Sequence, residues 1–388
     1  MHVDDLLRIA VERGASDLHL KVGSHPMCRI HGLLGVLTAE MKIGHEVMVE
    51  MAASIMSTTQ RQKFKDAQEV DLAYSVKGLG RFRCSVFQQR GTIGIVIRVI
   101  PSDVKDVDAL GLPEVLKKIA MEERGLVVVT GTTGSGKSTT LAGMINYINQ
   151  TRAAHIITIE DPIEYLHRDQ KSVLNQREIG SDTRSFSTAL RSALRQDPDV
   201  VLVGEMRDGE TIETALHAAE TGHLVFSTLH TLDATETINR IISVFPPHQQ
   251  KQIRLQLATV LRSAISQRLV PRADGTGRVP AVEVLISTPF IKDCIVDKDK
   301  THLIQGAIAQ GTSQYGMQSF DQSIFSLYSQ GLVTYEEALR WASNVDEFKL
   351  KVQGVSMTSD IARDQMASTV FAGGGVGAKK PEVTRFGK

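Results

Sequence analysis

The chain has 388 residues, with 44 Lys and Arg against 44 Asp and Glu, so its formal net charge is +0. That length supports two domains with a sizeable core, while the balanced charge lacks the basic excess of a nucleic-acid-binding surface, so no nucleic-acid partner is expected. The three cysteines, Cys28, Cys84 and Cys294, are far apart and form no C-x-x-C pair, which argues against a disulfide framework or a four-cysteine zinc site and for a reducing compartment.

The N-terminal stretch carries charges inside its apolar run, unlike a signal peptide, and no apolar run reaches the length of a membrane span. A cytoplasmic protein is expected. His2–Arg13 reads as a short amphipathic helix ended by Gly14, Asp17–Val22 alternates as a strand, and Glu46–Met56 has helical period. Asp71–Val76, Arg81–Phe87 and Gly94–Ile100 read as strands. Residues 1–100 are thus expected to form a small α+β domain. A polar, turn-rich linker follows over 101–112, and Pro113 opens a helix at its favoured first position.

From Leu126 the pattern changes to strand–helix alternation. Strands are predicted at 126–130, 156–160, 200–204 and 224–229, with helices such as Phe186–Arg195 and Thr211–Glu220 between them. This predicts a mainly parallel sheet covered on both faces. From about Pro289 the chain becomes mostly helical, with Thr301–Ala309, Phe320–Ser329 and Tyr335–Ala342. The predicted second domain therefore runs over 113–353, its helical part over 289–353. Residues 354–388 have little to bury and are expected to be disordered.

Residues 131–138, Gly-Thr-Thr-Gly-Ser-Gly-Lys-Ser, match the P-loop pattern G-x-x-x-x-G-K-[ST] at every fixed position. The glycines let backbone N–H groups ring a phosphate, Lys137 would reach the β- and γ-phosphates, and the Ser138 hydroxyl would ligate Mg²⁺. The helix that follows adds its N-terminal dipole. Gly131, Thr132, Thr133, Gly134, Ser135, Gly136, Lys137, Ser138 and Thr139 are therefore the candidate nucleotide-binding residues.

Two acidic stations follow predicted strands. Glu160, Asp161 and Glu164 lie just past the first strand end, and Gly204-Glu205 ends the second, where an acidic residue usually holds Mg²⁺ through water. A strand-end ion pair of Glu205 with Arg207 or Arg195 is the competing reading. His230 closes the strand 224–229 on the same side. His223 opens it at the far end, where packing or capping is as good an account as function.

In Arg81–Phe87, Phe82, Cys84 and Val86 share one face while Arg81 and Arg83 share the other. If Gln88–Gly91 makes a four-residue turn, Phe87 pairs with Thr92 and Arg81 with Arg98, which gathers three guanidinium groups on one face. Like charges directly opposite destabilise a sheet, so the cluster points to an anion, and the nucleotide is the anion already implied. Pairing of these arginines with acids such as Asp71 competes closely.

Together these blocks resemble the secretion ATPases of the type II and type IV pilus systems, and within them the PilT-type pilus retraction ATPases. The resemblance covers about residues 1–353. It rests on GTTGSGKST at 131–139, TIEDPIEY at 158–165, VVLVGEMRD at 200–208, TGHLVFSTLHT at 221–231, and the arginine-bearing strands GRFRCSVF at 80–87 and IVIRV at 95–99. The resemblance implies a RecA-like P-loop NTPase core, an α/β fold, preceded by a smaller α+β PAS-like domain. It also implies a homohexameric ring that hydrolyses ATP with Mg²⁺. Glu164 would be the general base, Glu205 would organise Mg²⁺, and His230 would sit near the γ-phosphate. Arg81, Arg83 and Arg98 would stabilise charge.

The implied work is pilus retraction, through an inner-membrane platform protein and alongside a paralogous retraction ATPase. An accessory subunit acting through a primary motor, or a DNA-translocating ring, are the alternatives. Neutral charge speaks against DNA. Pro289–Asp297 departs in charge and bulk from the segment that the retraction ATPases carry there, and Thr231–Asp233 reads TLD where an Asn-Ser pair is usual. The longer N-terminus and four-cysteine zinc site of the pilus-extension ATPases have no counterpart here.

Overall fold

A computed structural model describes residues 2–354. The predicted disordered tail, apart from Gly354, lies outside the described residues. Strands β1 (Asp17–Lys21), β2 (Met27–Ile30), β3 (Leu33–Val36), β4 (Glu69–Val76), β5 (Gly80–Gln89) and β6 (Thr92–Ile100) form an antiparallel sheet in the order β3-β2-β1-β6-β5-β4. Alternation sorts their side chains: Leu18, Leu20, Phe82, Cys84, Val86, Ile95 and Ile97 go into one core with Leu6, Leu7, Met48 and Met51 from the helices Val3–Glu12 and His45–Ile55. The polar residues between them, Asp17, Arg81, Arg83 and Arg98 among them, fall on the opposite face. β2, β3 and the helix Thr58–Ala67 were not legible, because β3 is exposed along its whole length and the helix buries no residue.

The arginine hairpin has a different register from the expected one. Its turn has two residues, Arg90 at φ 47° and Gly91 at φ 75°, so Gln89 pairs with Thr92. Two left-handed residues in a row match the right-handed twist of the flanking strands better than a longer turn does. Arg98 therefore stands opposite Arg83, and Arg81 opposite Ile100. The shift is two residues, so the three arginines keep a common face. The predicted start of a helix at Pro113 is also corrected. The helix runs Val115–Ala120 with Glu114 as its cap, and Pro113 lies ahead of it.

The second sheet joins β7 (Gly125–Thr130), β8 (His155–Glu160), β9 (Val173–Glu178), β10 (Val200–Val203), β11 (Leu224–Leu229), β12 (Leu261–Pro271) and β13 (Arg278–Ile286) in the order β13-β12-β7-β11-β10-β8-β9. All pairs are parallel except β12 with β13. Consecutive residues of the central strands enter opposite cores. Val128, Ile157, Val201 and Val225 pack with the helices Phe186–Ala193, Gly209–Glu220 and Ala234–Ser243. Val127, Ile156, Val200 and Phe226 pack with the helix Lys137–Thr151. This is the predicted sheet covered on both faces. The segment 101–112 lies against this domain, with Val107 and Leu112 buried in its core and Val104 O accepting from Asn146 Nδ2. Among the described residues no helix is long and apolar enough to cross a membrane.

Glu283 of β13 is 2% exposed, and its carboxylate accepts from Ala234 N, at the first turn of the helix Ala234–Ser243, at 2.8 Å. Burial pushes its pKa up from 4.5 to about 7, with the hydrogen bond from Ala234 and the Arg268 charge opposing. The folded state thus holds the proton more tightly than the unfolded chain. The contribution is present below 4.5 and is lost as pH rises towards 7. Glu283→Gln, neutral throughout, is expected to exceed the wild type in stability by on the order of 2 kcal/mol at about pH 8, and to lose that advantage near pH 5. Urea unfolding at the two pH values checks this, and a difference that does not change with pH would overturn it.

Candidate functional site

Parallel pairing places the carboxyl ends of β7, β11, β10 and β8 side by side, and the cavity lies just beyond them. Its volume is about 620 Å³, and its walls include Gly134, Gly136, Lys137, Ser138, Thr139, Glu160, Glu164, Glu205, His230 and, from the first domain, Arg98.

The loop between β7 and the helix Lys137–Thr151 needs its glycines. Gly131 has φ 141°, and a Cβ there would meet Gln267 O at 2.4 Å; Gly136 has φ 91°, and a Cβ would meet Gln267 Nε2 at 2.7 Å. Lys137 Nζ donates to Gly131 O at 2.8 Å and Thr132 O at 2.9 Å, curling back over the loop. Burial lowers its pKa, and the Glu205 charge opposes that shift. Ser135 Oγ is buried with no hydrogen-bond partner. A ring of backbone amides with an orphaned hydroxyl and a desolvated ammonium is a cradle built for phosphate.

Gly204 sits where β10 meets the end of β8. Its N–H donates to Ile159 O at 2.8 Å, and a Cβ would come within 3.2 Å of that oxygen. A Cβ at 204 would thus need the junction to give by a few tenths of an ångström, and the carboxylate at this strand end is that of Glu205. Glu205 Oε2 lies 2.7 Å from Arg207 Nε and 3.7 Å from His230 Nε2. The pairing with Arg207 is present, and the same carboxylate also faces His230 across the cavity mouth. His230 is held below its usual pKa by burial and by the Lys137 charge, against the pull of Glu205, so its neutral form is favoured. His223 lies elsewhere, with Nδ1 2.9 Å from Ala218 O at the far edge of the sheet, a local cap.

The acidic loop after β8 is gripped by two buried carboxylates. Glu160 accepts from Thr158 Oγ1 at 2.6 Å, from Gln176 Nε2 at 3.3 Å and from the backbone N–H of Glu164 at 3.3 Å. Burial raises its pKa, and these bonds oppose the rise. Glu178 accepts from the N–H of Ile163 at 3.2 Å. The Glu164 side chain is exposed on the cavity wall. Tyr165 OH lies 2.8 Å from Thr139 Oγ1, which ties this loop to the P-loop helix.

The three arginines part company. Arg98 lines the cavity while its Nε donates to Asp17 Oδ1 at 2.8 Å. Burial alone would raise the Asp17 pKa, but the hydrogen bonds and charge of Arg98, with help from Ser16, leave it lowered. Arg83 is exposed on the same face. Arg81 Nη2 crosses to the second domain and meets Glu178 Oε2 at 3.2 Å. The acid partners are thus Asp17 and Glu178, not Asp71. Sequence reasoning passed over Asp17, a polar residue at the start of a predicted strand, and Gln176, Glu178 and Gln267, which belong to strands whose polar side chains gave no apolar pattern. Glu178 ends β9, which reads VLNQRE.

For Mg²⁺, the exposed Ser138 hydroxyl and the charge-compensated Glu205 carboxylate are hard oxygen donors that fit the ion. Among the described residues no group of three or more His, Cys, Asp or Glu side chains converges as a metal cage. Two such donors are the set expected where phosphates and water complete the shell.

Residues 1–317 match the Type II/IV secretion system protein family. The type IV pilus ATPase PilU of Pseudomonas aeruginosa is 42% identical over 353 residues, 91% of this chain and 92% of PilU. The type IV pilus retraction ATPase PilT of the same organism is 46% identical over 348 residues, 90% of this chain and all of PilT. The crystal structure of the pilus retraction motor PilT with bound ADP superposes with a TM-score of 0.82 at 46% identity, covering 89% of this chain and 98% of that one. With a P-loop, two acidic stations and a histidine at the ends of one parallel sheet, the chain belongs to the Type II/IV secretion system protein family and is an ATPase with a RecA-like core.

Proposed function

We propose that this ATPase is the motor of type IV pilus retraction, working as a homohexameric ring on an inner-membrane platform protein and serving twitching motility. The observation that carries the reading is the two-domain wall of the cavity. Arg98 reaches the P-loop cavity from the first domain, so nucleotide between the domains can set their relative position. The likeness to PilT along nearly its whole length supports the direction of work.

Lys137 and the amides of 131–137 take up the charge of the β- and γ-phosphates, and Ser135 Oγ gains an acceptor there. Ser138 and, through water, Glu205 would hold Mg²⁺, which when bound neutralises phosphate charge. Glu164, exposed on the wall, takes the proton of the attacking water. His230, kept neutral, contacts the γ-phosphate and reports its departure to Glu205, 3.7 Å away. Arg98 and Arg83 balance the charge that develops at transfer.

Glu164→Gln is expected to lower kcat by roughly 100-fold or more while nucleotide affinity is kept. Lys137→Ala is expected to lower affinity and turnover together. Phosphate release and fluorescent-nucleotide titration on the purified chain measure both, and a Glu164→Gln variant with unchanged kcat would remove the base assignment. Arg98→Ala is expected to lower kcat about tenfold with folding intact, and unchanged turnover would detach the first domain from the chemistry.

The likeness to PilU favours a second reading, an accessory subunit acting through a primary motor. A deletion strain decides between motor and assembly roles. Excess pili that do not retract support the retraction motor, and absent pili would overturn it. An inactive purified wild type would favour the accessory reading.

A further inference from the structure

We infer that Glu178 is a positioning residue that couples the placement of the first domain to the acidic loop carrying Glu164. The inference rests on the assignment of Glu164 as the base proposed above. Glu178 ends β9 beside Glu160 of β8, with which it is in register. One oxygen, Oε2, accepts two bonds of 3.2 Å: from the guanidinium of Arg81 in the first domain, and from the backbone N–H of Ile163, next to Glu164. Its other oxygen accepts from Ser181 Oγ at 3.3 Å. The residue is 6% exposed. Arg81 forms its ion pair with Glu178 at 3.2 Å, while its Nε is buried without a hydrogen-bond partner.

The two carboxylates therefore differ in kind. Glu160 holds the N–H of Glu164 with partners drawn entirely from its own domain, Thr158 and Gln176. The Glu178 oxygen that holds the N–H of Ile163 also accepts from Arg81 on β5, so that bond is shared with the other domain. When the first domain shifts and Arg81 leaves, the carboxylate loses its counter-charge in a desolvated site. It is then driven to move towards water. That movement weakens the bond to Ile163 and releases the loop. Arg81 thus acts on the chemistry through Glu178, apart from the arginines of the cavity face. The bridge lets the base be set in place only when the first domain is docked.

The test is amide hydrogen exchange of the full chain, read by mass spectrometry, combined with steady-state turnover. Arg81→Ala is expected to speed exchange in the peptide spanning 160–166 about tenfold and to leave the P-loop helix unchanged. Arg81→Lys, which keeps the charge, restores most of the protection. In turnover, Arg81→Ala and Glu178→Gln each lower kcat about tenfold with KM held within about twofold, and the double variant falls no further than the worse single one. Unchanged exchange over 160–166 in Arg81→Ala overturns the proposal, as do fully additive losses in the double variant. Exchange reads the coupling whether or not the chain turns over ATP, so an inactive wild type counts against the function proposed above and not against this bridge.

Discussion

Parallel pairing of β7, β11, β10 and β8 is the constraint on which the site depends. Each strand is buried on both faces, so its residues alternate between two apolar cores and leave no room for a charged side chain until the strand ends. Chemistry is therefore confined to the carboxyl ends, where the chain turns into a loop or helix and backbone groups become free to bind. The P-loop, Glu160, Glu205 and His230 each occupy such an end. Their convergence follows from strand order, since the four segments that supply them lie far apart along the chain.

Close approach of backbones then decides which residue types fit. Gly131 and Gly136 are set by Gln267, which presses on the loop from β12, and Gly204 by the carbonyl of Ile159. A side chain in place of the glycine before Glu205 would crowd the β8–β10 junction, and Glu205 supplies the carboxylate that lines the cavity. Opposite charges meet around the cavity in two groups: Lys137 faces Glu205, which meets Arg207 and His230, and separately Arg98 rests on the buried Asp17. Of these groups only Asp17 and Lys137 are buried, so removing their partners leaves a desolvated charge, while Arg207 and His230 keep solvent.

The first domain contributes a charged face. Its apolar side is filled by Phe82, Cys84 and the two helices, so the alternation of β5 and β6 has only one side left for arginine. Arg83 and Arg98 stand opposite each other, and that repulsion is relieved by Asp17 on β1, which pairs with Arg98. Arg81 lies two residues earlier on the same face and meets the second domain at Glu178. Face is thus a property of period two, and partner is a property of position along the face.

Fold class, the P-loop, the two acidic stations, His230 and the arginine face were all legible in the residues. Each is a local signal: a fixed spacing, an apolar run that ends in a charge, or an alternation in one strand. The hairpin register was not, because a turn of two residues and one of four preserve the same faces and differ only in how Arg90 and Gly91 bend. β9, β12 and β13 were not legible either, since polar residues such as Gln176, Gln267 and Glu283 interrupt them and find their partners in distant segments. The sequence by itself determined which residues can bind phosphate and which faces carry charge, because those follow from residue type and period. Only the tertiary structure decided that Arg98 faces the cavity while Arg81 binds Glu178, because that choice depends on the packing of one domain against another, which no local pattern encodes.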